Sequence, residues 1–214
     1  MVKKNVLIVM GGNSRERDIS FQTGRACLKT IKKIGFRTKV FDPKKENFLD
    51  INKKKTNIIF NALHGQEGED GYAQSFFEYL KIPYTHSGVI SSYNSMDKII
   101  SKEIFLKNKI LTPKYFSIYK NENNSNILMT MLKRRKISFP VVIKPTNEGS
   151  SLGVKIVKNF KDLKKATKLL FKNYTQLIFE EFIGGQEIQA AILNNLAIGA
   201  IELIPKRSFY DYKA

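Results

Sequence analysis

The sequence predicts an α/β fold in which an open, mainly parallel sheet is followed by a second region of helices, strands and two hairpins. Three observations carry that expectation. In the N-terminal part, short apolar runs alternate with stretches of helical periodicity, the pattern of βαβ units. Glycine and proline punctuate most of the changes from one pattern to the next. Beyond Thr112-Pro113 the runs come in pairs separated by small-residue breaks, which reads as hairpins.

The elements follow in order. Asn5 to Met10 is a continuous apolar run, as expected for a strand buried on both faces. Gly11-Gly12-Asn13-Ser14 is a turn, and Glu16 to Ile34 has helical periodicity through Ile19, Ala26, Leu28 and Ile31 until Gly35 stops it. Thr38 to Phe41 and Asn57 to Ala62 are strands, Asp70 to Leu80 a helix, and Pro83-Tyr84-Thr85 a short strand. Ser95 to Asn108 reads as one helix, with Lys98 and Lys102 one turn apart. Tyr115 to Tyr119 is a strand, Lys120 to Asn126 a polar loop, and Asn126 to Lys136 a helix. Pro140 to Lys144 and Val154 to Val157 form a hairpin, Leu163 to Lys172 a helix, and Gln176 to Phe182 a strand. Gly184-Gly185 breaks the chain before a second hairpin, Glu187 to Leu193 with Ala197 to Ile204. Ligands of open parallel sheets sit beyond the carboxyl ends of the strands, which is where Gly11-Gly12 and Leu63-His64-Gly65 fall.

Composition narrows the function classes. The chain of 214 residues is long enough for one large or two small domains, and 42% of it is hydrophobic. No apolar run approaches the roughly 20 residues that span a membrane. The run after Lys3-Lys4 leads into Gly11-Gly12, where a signal peptide would need a longer apolar stretch and a cleavage site. Cys27 is the only cysteine, so no internal disulfide forms and a reducing, cytoplasmic setting is expected. The net charge of +18 raises the question of nucleic acid. Its lysines are scattered, as in Lys53-Lys54-Lys55 and Lys164-Lys165, without interleaved aromatics, which reads as a solvated basic surface.

The most informative stretch runs from Val142 to Val157. Lys144 ends one strand, and Gly149, Ser150, Ser151 and Gly153 fill the turn before the next. A Gly/Ser turn can bring several backbone N–H groups onto one anion, and a lysine beside it adds a point charge. Taken alone, the same turn also fits an ordinary solvated hairpin. Glu16 in a first helical turn fits a helix-dipole role as well as a ligand carboxylate.

Several segments together resemble the D-alanine–D-alanine ligase family of the ATP-grasp superfamily. They are Gly11-Gly-Asn-Ser-Arg-Glu16-Arg-Asp-Ile-Ser20, Asn61-Ala-Leu-His64-Gly-Gln-Glu-Gly-Glu-Asp-Gly71, Pro83-Tyr-Thr-His-Ser-Gly88, Met96-Asp-Lys98, Lys144 to Val154, Glu180 to Glu187, and Phe209-Tyr-Asp-Tyr212. The resemblance implies a Rossmann-like, pre-ATP-grasp substrate domain over residues 1–94. It further implies an ATP-grasp central subdomain over 95–183 and the start of a C-terminal subdomain over 184–214.

The implied activity is ATP-dependent ligation of two D-alanines through an acyl-phosphate, in the cytoplasm, for peptidoglycan precursor synthesis. Glu16 would hold the ammonium of the first D-alanine, with His64 near the substrate and Ser150 hydrogen-bonding toward Glu16. Lys98, Lys144, Ser150 and Ser151 would meet the ATP phosphates. Glu180, Glu181, Phe182 and Ile183 would receive adenine, Glu187 the ribose hydroxyls, and Tyr210 would begin a substrate-covering loop. The Mg²⁺ ligands of the family are expected beyond Ala214, so the chain reads as an N-terminal part, inactive alone. A homodimer is implied for the longer protein. D-lactate or D-serine as second substrate and a non-catalytic nucleotide- or D-alanine-binding module stay open. Nucleic acid and membrane are not expected as partners.

Overall fold

The computed structural model describes residues 4–204. Tyr210 and Tyr212 lie outside the described residues. The chain forms two compact units that divide between Ser101 and Lys102, whereas the sequence reading places a boundary after Asn94.

The first unit is built on three parallel strands in the order β2-β1-β3: β1 (Asn5–Val9), β2 (Arg37–Phe41) and β3 (Ile58–Asn61). A parallel bridge between Ile59 and Tyr84 extends the β3 edge at Pro83-Tyr84-Thr85. Leu7, Val9 and Ile59 pack with Phe41, Phe48 and Phe77 on one side. Val6, Ile8 and Met10 pack with Phe21, Leu28 and Ile31 on the other. Burial on both faces is why this run is continuously apolar rather than alternating.

Helix α1 (Arg17–Lys33) returns the chain from β1 to β2. It carries a buried glycine in its interior, a position that normally weakens a helix. The reason is distance: a Cβ on Gly24 would stand 2.6 Å from Met10 Sδ and 2.7 Å from Met10 Cβ. Helix α2 (Tyr72–Tyr79) starts after Gly71, which holds φ 92°.

One expected element changes. The single helix read over Ser95 to Asn108 is two helices, α3 (Val89–Met96) and α4 (Lys98–Lys107), with Asp97 extended between them at φ −82°, ψ 112°. Asp97 Oδ1 accepts from the N–H groups of Ile99 (2.8 Å) and Ile100 (3.0 Å), satisfying donors that a new helix would leave open. The aspartate is thus the start of α4.

The second unit holds an antiparallel sheet in the order β4-β7-β5-β6: β4 (Tyr115–Tyr119), β5 (Val141–Pro145), β6 (Lys155–Val157) and β7 (Gln176–Glu181). Helices α5 (Ser125–Arg135) and α6 (Phe160–Leu170) join these strands and contribute to one core with the sheet. A short 3-10 turn, Lys120–Glu122, occupies the segment read as a loop, and α6 begins earlier than read because Asn159 Oδ1 accepts from Asp162 N–H at 2.9 Å. Phe116, Ile118, Val141, Ile143, Leu177 and Phe179 alternate inward, with the Phe116 and Phe179 rings stacked 4.8 Å apart. The period of two turns Tyr115, Val142, Lys144 and Glu180 onto the opposite face.

Strands β8 (Glu187–Leu193) and β9 (Leu196–Leu203) form a separate hairpin. Its two-residue turn, Asn194-Asn195, has positive φ at both positions, as tight hairpins require. Among the described residues no helix is long and apolar enough to cross a membrane.

Gly24 gives a stability test. Alanine should gain roughly 1 kcal/mol of helix propensity. The methyl group has to displace the Met10 stem rather than a flexible tip, and overpacking of that kind costs about 1–3 kcal/mol. Gly24→Ala is therefore expected to lower stability in chemical denaturation. A stabilised variant would show that the helix moves off the sheet without cost.

Candidate active site

In the first unit the candidate residues Glu16 and His64 lie past the carboxyl ends of β1 and β3. The Gly11-Gly12 turn after β1 is clamped on several sides. Gly11 N–H donates to Ser20 Oγ at 2.8 Å, and Ser20 Oγ donates to Ala62 O at 2.7 Å. Gly12 N–H donates to Asp42 Oδ1 at 3.1 Å, while Arg17 Nη1 reaches Gly12 O at 2.6 Å and Asp42 Oδ1 at 2.9 Å. A second Arg17–Asp42 bond makes the pair bidentate. Burial pushes the Asp42 carboxyl up, but the Arg17 guanidinium and the N–H groups of Gly12 and Lys44 outweigh it and hold the pKa below the usual carboxylate value. A Cβ on Gly11 would lie 2.6 Å from Asp42 Oδ1, and Gly11 has φ 95°, so only glycine fits.

The clamp sets Glu16 at the start of α1. Glu16 is 6% exposed and, as the N-cap residue of α1, makes no side-chain cap hydrogen bond. Ser14 connects it to the β3 end: Glu16 N–H donates to Ser14 Oγ at 3.0 Å, and Ser14 Oγ donates to His64 O at 2.6 Å. Gly65, at φ 68°, lies directly against the Glu16 carboxylate, where any Cβ would collide with Oε2. Glu16 and His64, far apart in sequence, are thus brought together.

His64 Nε2 stands 3.0 Å from Thr23 Oγ1, and Nδ1 is 3.4 Å from Glu69 Oε1. The Glu69 carboxylate favours the imidazolium and raises the His64 pKa above its ordinary value, against the opposing effect of burial. A buried carboxylate beside this histidine is a group that can neutralise a buried cation.

In the second unit the face of the sheet opposite the Phe116–Phe179 core carries an ion-pair cluster. Lys144 on β5 and Glu180 on β7 are diagonal neighbours, and Lys144 Nζ lies 2.6 Å from Glu180 Oε2. Lys102 Nζ, from α4, lies 3.0 Å from Glu180 Oε1. Glu180 is 3% exposed and Lys102 6%, both rare for charged residues and admissible only because each pairs.

The chain leaves β5 through Thr146 to Gly153. Ser150 has φ 46°, Ser151 φ 58° and Gly153 φ 74°, left-handed backbone that serines adopt only under constraint. Leu152 N–H donates to Gly149 O and Val154 N–H to Ser151 O, closing the turn. A Cβ on Gly153 would press on Pro145 Cγ at 2.8 Å.

The remaining predicted residues take these positions. Lys98 is half-buried in the first turn of α4. Glu181 Oε1 accepts from Lys114 N–H at 2.8 Å, and its other oxygen lies 3.5 Å from Lys114 Nζ, so it turns away from Glu180. Phe182 and Ile183 are exposed just past β7, and Glu187 is exposed at the start of β8. Sequence reasoning missed Lys102 as a site residue, although its spacing from Lys98 was visible. It also missed Asp42, read only as the end of a strand, and the linking roles of Ser14, Arg17 and Glu69.

The chain is similar to proteins of known kind. The family model described as D-ala D-ala ligase C-terminus matches residues 104–214. A D-alanine–D-alanine ligase of Pelagibacter ubique (strain HTCC1062) is 52% identical over 211 residues, covering 99% of this chain and 68% of that protein. One from Citrifermentans bemidjiense is 40% identical over 212 residues, covering 99% and 67%. Among solved structures, a D-alanine–D-alanine ligase from Bacillus anthracis aligns with TM-score 0.84 at 32% identity, over 99% of this chain and 68% of that one. The same enzyme complexed with ATP aligns at 0.82 and 29%, over 96% and 68%. The chain therefore spans about two thirds of the length of these relatives.

The His64–Glu69 pair has a pH signature. Folding raises the His64 pKa, so its contribution to stability is full below the unfolded value of about 6.5 and is lost as pH rises through the higher folded value. Glu69→Gln removes the leading cause. Thermal melting from about pH 5.5 to about pH 8.5 should show the wild type ahead of Glu69→Gln on the acid side, with the gap closing on the alkaline side. A gap that does not vary with pH would remove Glu69 as the partner that matters.

Proposed function

The chain belongs to the D-alanine–D-alanine ligase family, and from that premise we propose that it binds D-alanine and ATP for the ATP-dependent joining of two D-alanines. The product would enter peptidoglycan precursor synthesis in the cytoplasm, with a homodimer as the working form. The observation that carries the reading is local. Lys144 stands on the face of the second sheet opposite its core, on the strand that leads directly into a left-handed Gly/Ser turn. An ammonium and the backbone donors of such a turn can together bind an anion.

In the proposed chemistry the carboxylate of one D-alanine attacks the γ-phosphorus of ATP, the bond to the β-phosphate oxygen breaks, and ADP leaves. The free amine of a second D-alanine attacks the acyl carbon of the acyl-phosphate. The amine gives up a proton and inorganic phosphate departs. Glu16, buried against Gly65, would pair with the ammonium of the first D-alanine and so orient its carboxylate, with His64 bordering the same substrate. Lys98 and Lys144 would offset charge gathering on the transferred phosphoryl group, with Ser150 and Ser151 in the phosphate turn. Phe182 and Ile183 supply exposed apolar side chains for an adenine ring, Glu180 and Glu181 border them, and Glu187 lies four residues past Ile183 for ribose hydroxyls.

Mg²⁺ is part of this proposal. Among the described residues no group of three or more His, Cys, Asp or Glu side chains is placed to hold a metal ion. A competition assay among D-alanine, D-serine and D-lactate reads the choice of second substrate.

Two measurements test the reading. The natural gene product should release ADP from ATP only when D-alanine is present, and Lys144→Ala should lower kcat/KM by about 10²–10³. ATP binding without D-alanine-dependent turnover would replace the ligase reading by that of a binding module. In the same assay Glu16→Gln should raise the KM for D-alanine far more than that for ATP, since an ammonium losing its buried partner forfeits about 2–5 kcal/mol. An unchanged D-alanine KM would take Glu16 out of the substrate pocket.

A further inference from the structure

Lys102 is the least explained charged residue in the described chain. It lies on α4, one turn past Lys98, and its ammonium is buried rather than in solvent. Its contacts are specific. Nζ donates to Thr112 Oγ1 at 2.8 Å and to Pro113 O at 3.1 Å, and stands 5.1 Å from the centre of the Tyr115 ring. Its distance to Glu180 Oε1 is 3.0 Å, yet that oxygen has no aligned hydrogen bond. Lys102 thus neutralises Glu180 at ion-pair distance.

The other oxygen of the same carboxylate holds Lys144 at 2.6 Å. Lys144 is the most accessible member of the cluster, with 24% of its side chain accessible against 7% for Lys102 and 4% for Glu180. One buried carboxylate therefore has two counter-ions, one fixed by backbone and hydroxyl acceptors and one partly open to solvent. If Lys144 were the sole counter-ion, moving it to a ligand would strand a buried anion. With Lys102 in place, the carboxylate stays paired when Lys144 leaves.

We infer that Lys102 is a positioning residue of the nucleotide site, which keeps Glu180 neutralised so that Lys144 is free to move from Glu180 to a polyphosphate. The inference rests on the nucleotide reading of this site and adds to it a residue and a division of labour. Glu180 anchors the lysine between ligands, and Lys102 makes the anchor reversible. Burial pulls the Lys102 ammonium below the ordinary lysine range, with Glu180 pulling in the opposite direction, as expected for a charge retained because of its partner.

A merely structural lysine would look the same in a stability assay, so the test compares two ligands. ATP and adenosine share the base and ribose, and only ATP carries the polyphosphate. Binding of each is measured by calorimetry on the wild-type chain, on Lys102→Met, on Glu180→Gln and on the double variant. Lys102→Met leaves Lys144 as the sole partner of Glu180, so ATP affinity should fall about tenfold while adenosine affinity changes by less than about twofold. In the Glu180→Gln background no anion is left to trap Lys144, so adding Lys102→Met should change ATP affinity by less than about twofold. Equal losses for ATP and adenosine, an unchanged ATP affinity, or a further loss in the double variant would each overturn the inference. If Lys102→Met does not fold, the comparison of Glu180→Gln with the double variant decides alone. A wild-type chain that binds neither ligand would overturn the nucleotide reading itself, a result distinct from all of these.

Discussion

A carboxylate buried in a β-sheet has to be neutralised where it stands, and the polar face of the second unit is arranged around that constraint at Glu180. Leaving such a charge unpaired costs about 3–5 kcal/mol, a large share of the stability of an ordinary domain. Glu180 lies on β7 between β4 and β5, where no solvent reaches it. Its position dictates a lysine two residues along the neighbouring strand and a second lysine from α4. The second lysine in turn requires acceptors, which Thr112 and Pro113 supply just before β4. A sequence of separate oddities, a buried Lys, a buried Glu and a lysine at a strand end, thereby becomes one arrangement.

The first unit solves a related problem with a different geometry. Asp42 at the end of β2 is held by the planar fork of Arg17, and together they fix the Gly12 turn from both its N–H and its carbonyl. Arg suits this bidentate task, while the point charges of lysine suit a cluster in which one partner is to move. A rigid clamp thus supports the turn that leads to Glu16, and a looser cluster lies beside the turn at Ser150.

Periodicity and punctuation made most of the architecture legible. Asn5 to Met10 could be read as a two-sided buried strand because it lacks alternation, and the hairpin around Gly149 to Gly153 because small residues separate two β-branched runs. Local rules failed where a single side chain overrode them. Asp97 breaks a helix-compatible stretch by capping the next helix, and nothing in the periodicity of Ile99 and Ile100 signals it. Among the candidate site residues, Glu16, His64 and Lys144 stand in sequence segments close to glycines, which is why the sequence singles them out. Lys102 and Asp42 are not singled out, because their roles depend on partners 78 and 25 residues away, Glu180 and Arg17, and such pairings have no local trace in one sequence.

The hairpin of β8 and β9 has a consequence for how the chain breathes. Ile188, Ile192, Leu193, Leu196, Ile198 and Ile201 are all exposed, so its ladder is held by its own backbone bonds and cross-strand neighbours rather than by a core. Two-stranded ribbons of that kind are marginal in water. Its amides should exchange with deuterium through local opening, while those of β5 and β7, flanked by strands on both sides and backed by α6, wait for rarer and larger fluctuations. Within the second unit the sheet leads through Gly184-Gly185 into this ribbon, and the exposed pair Phe182 and Ile183 lies at that junction.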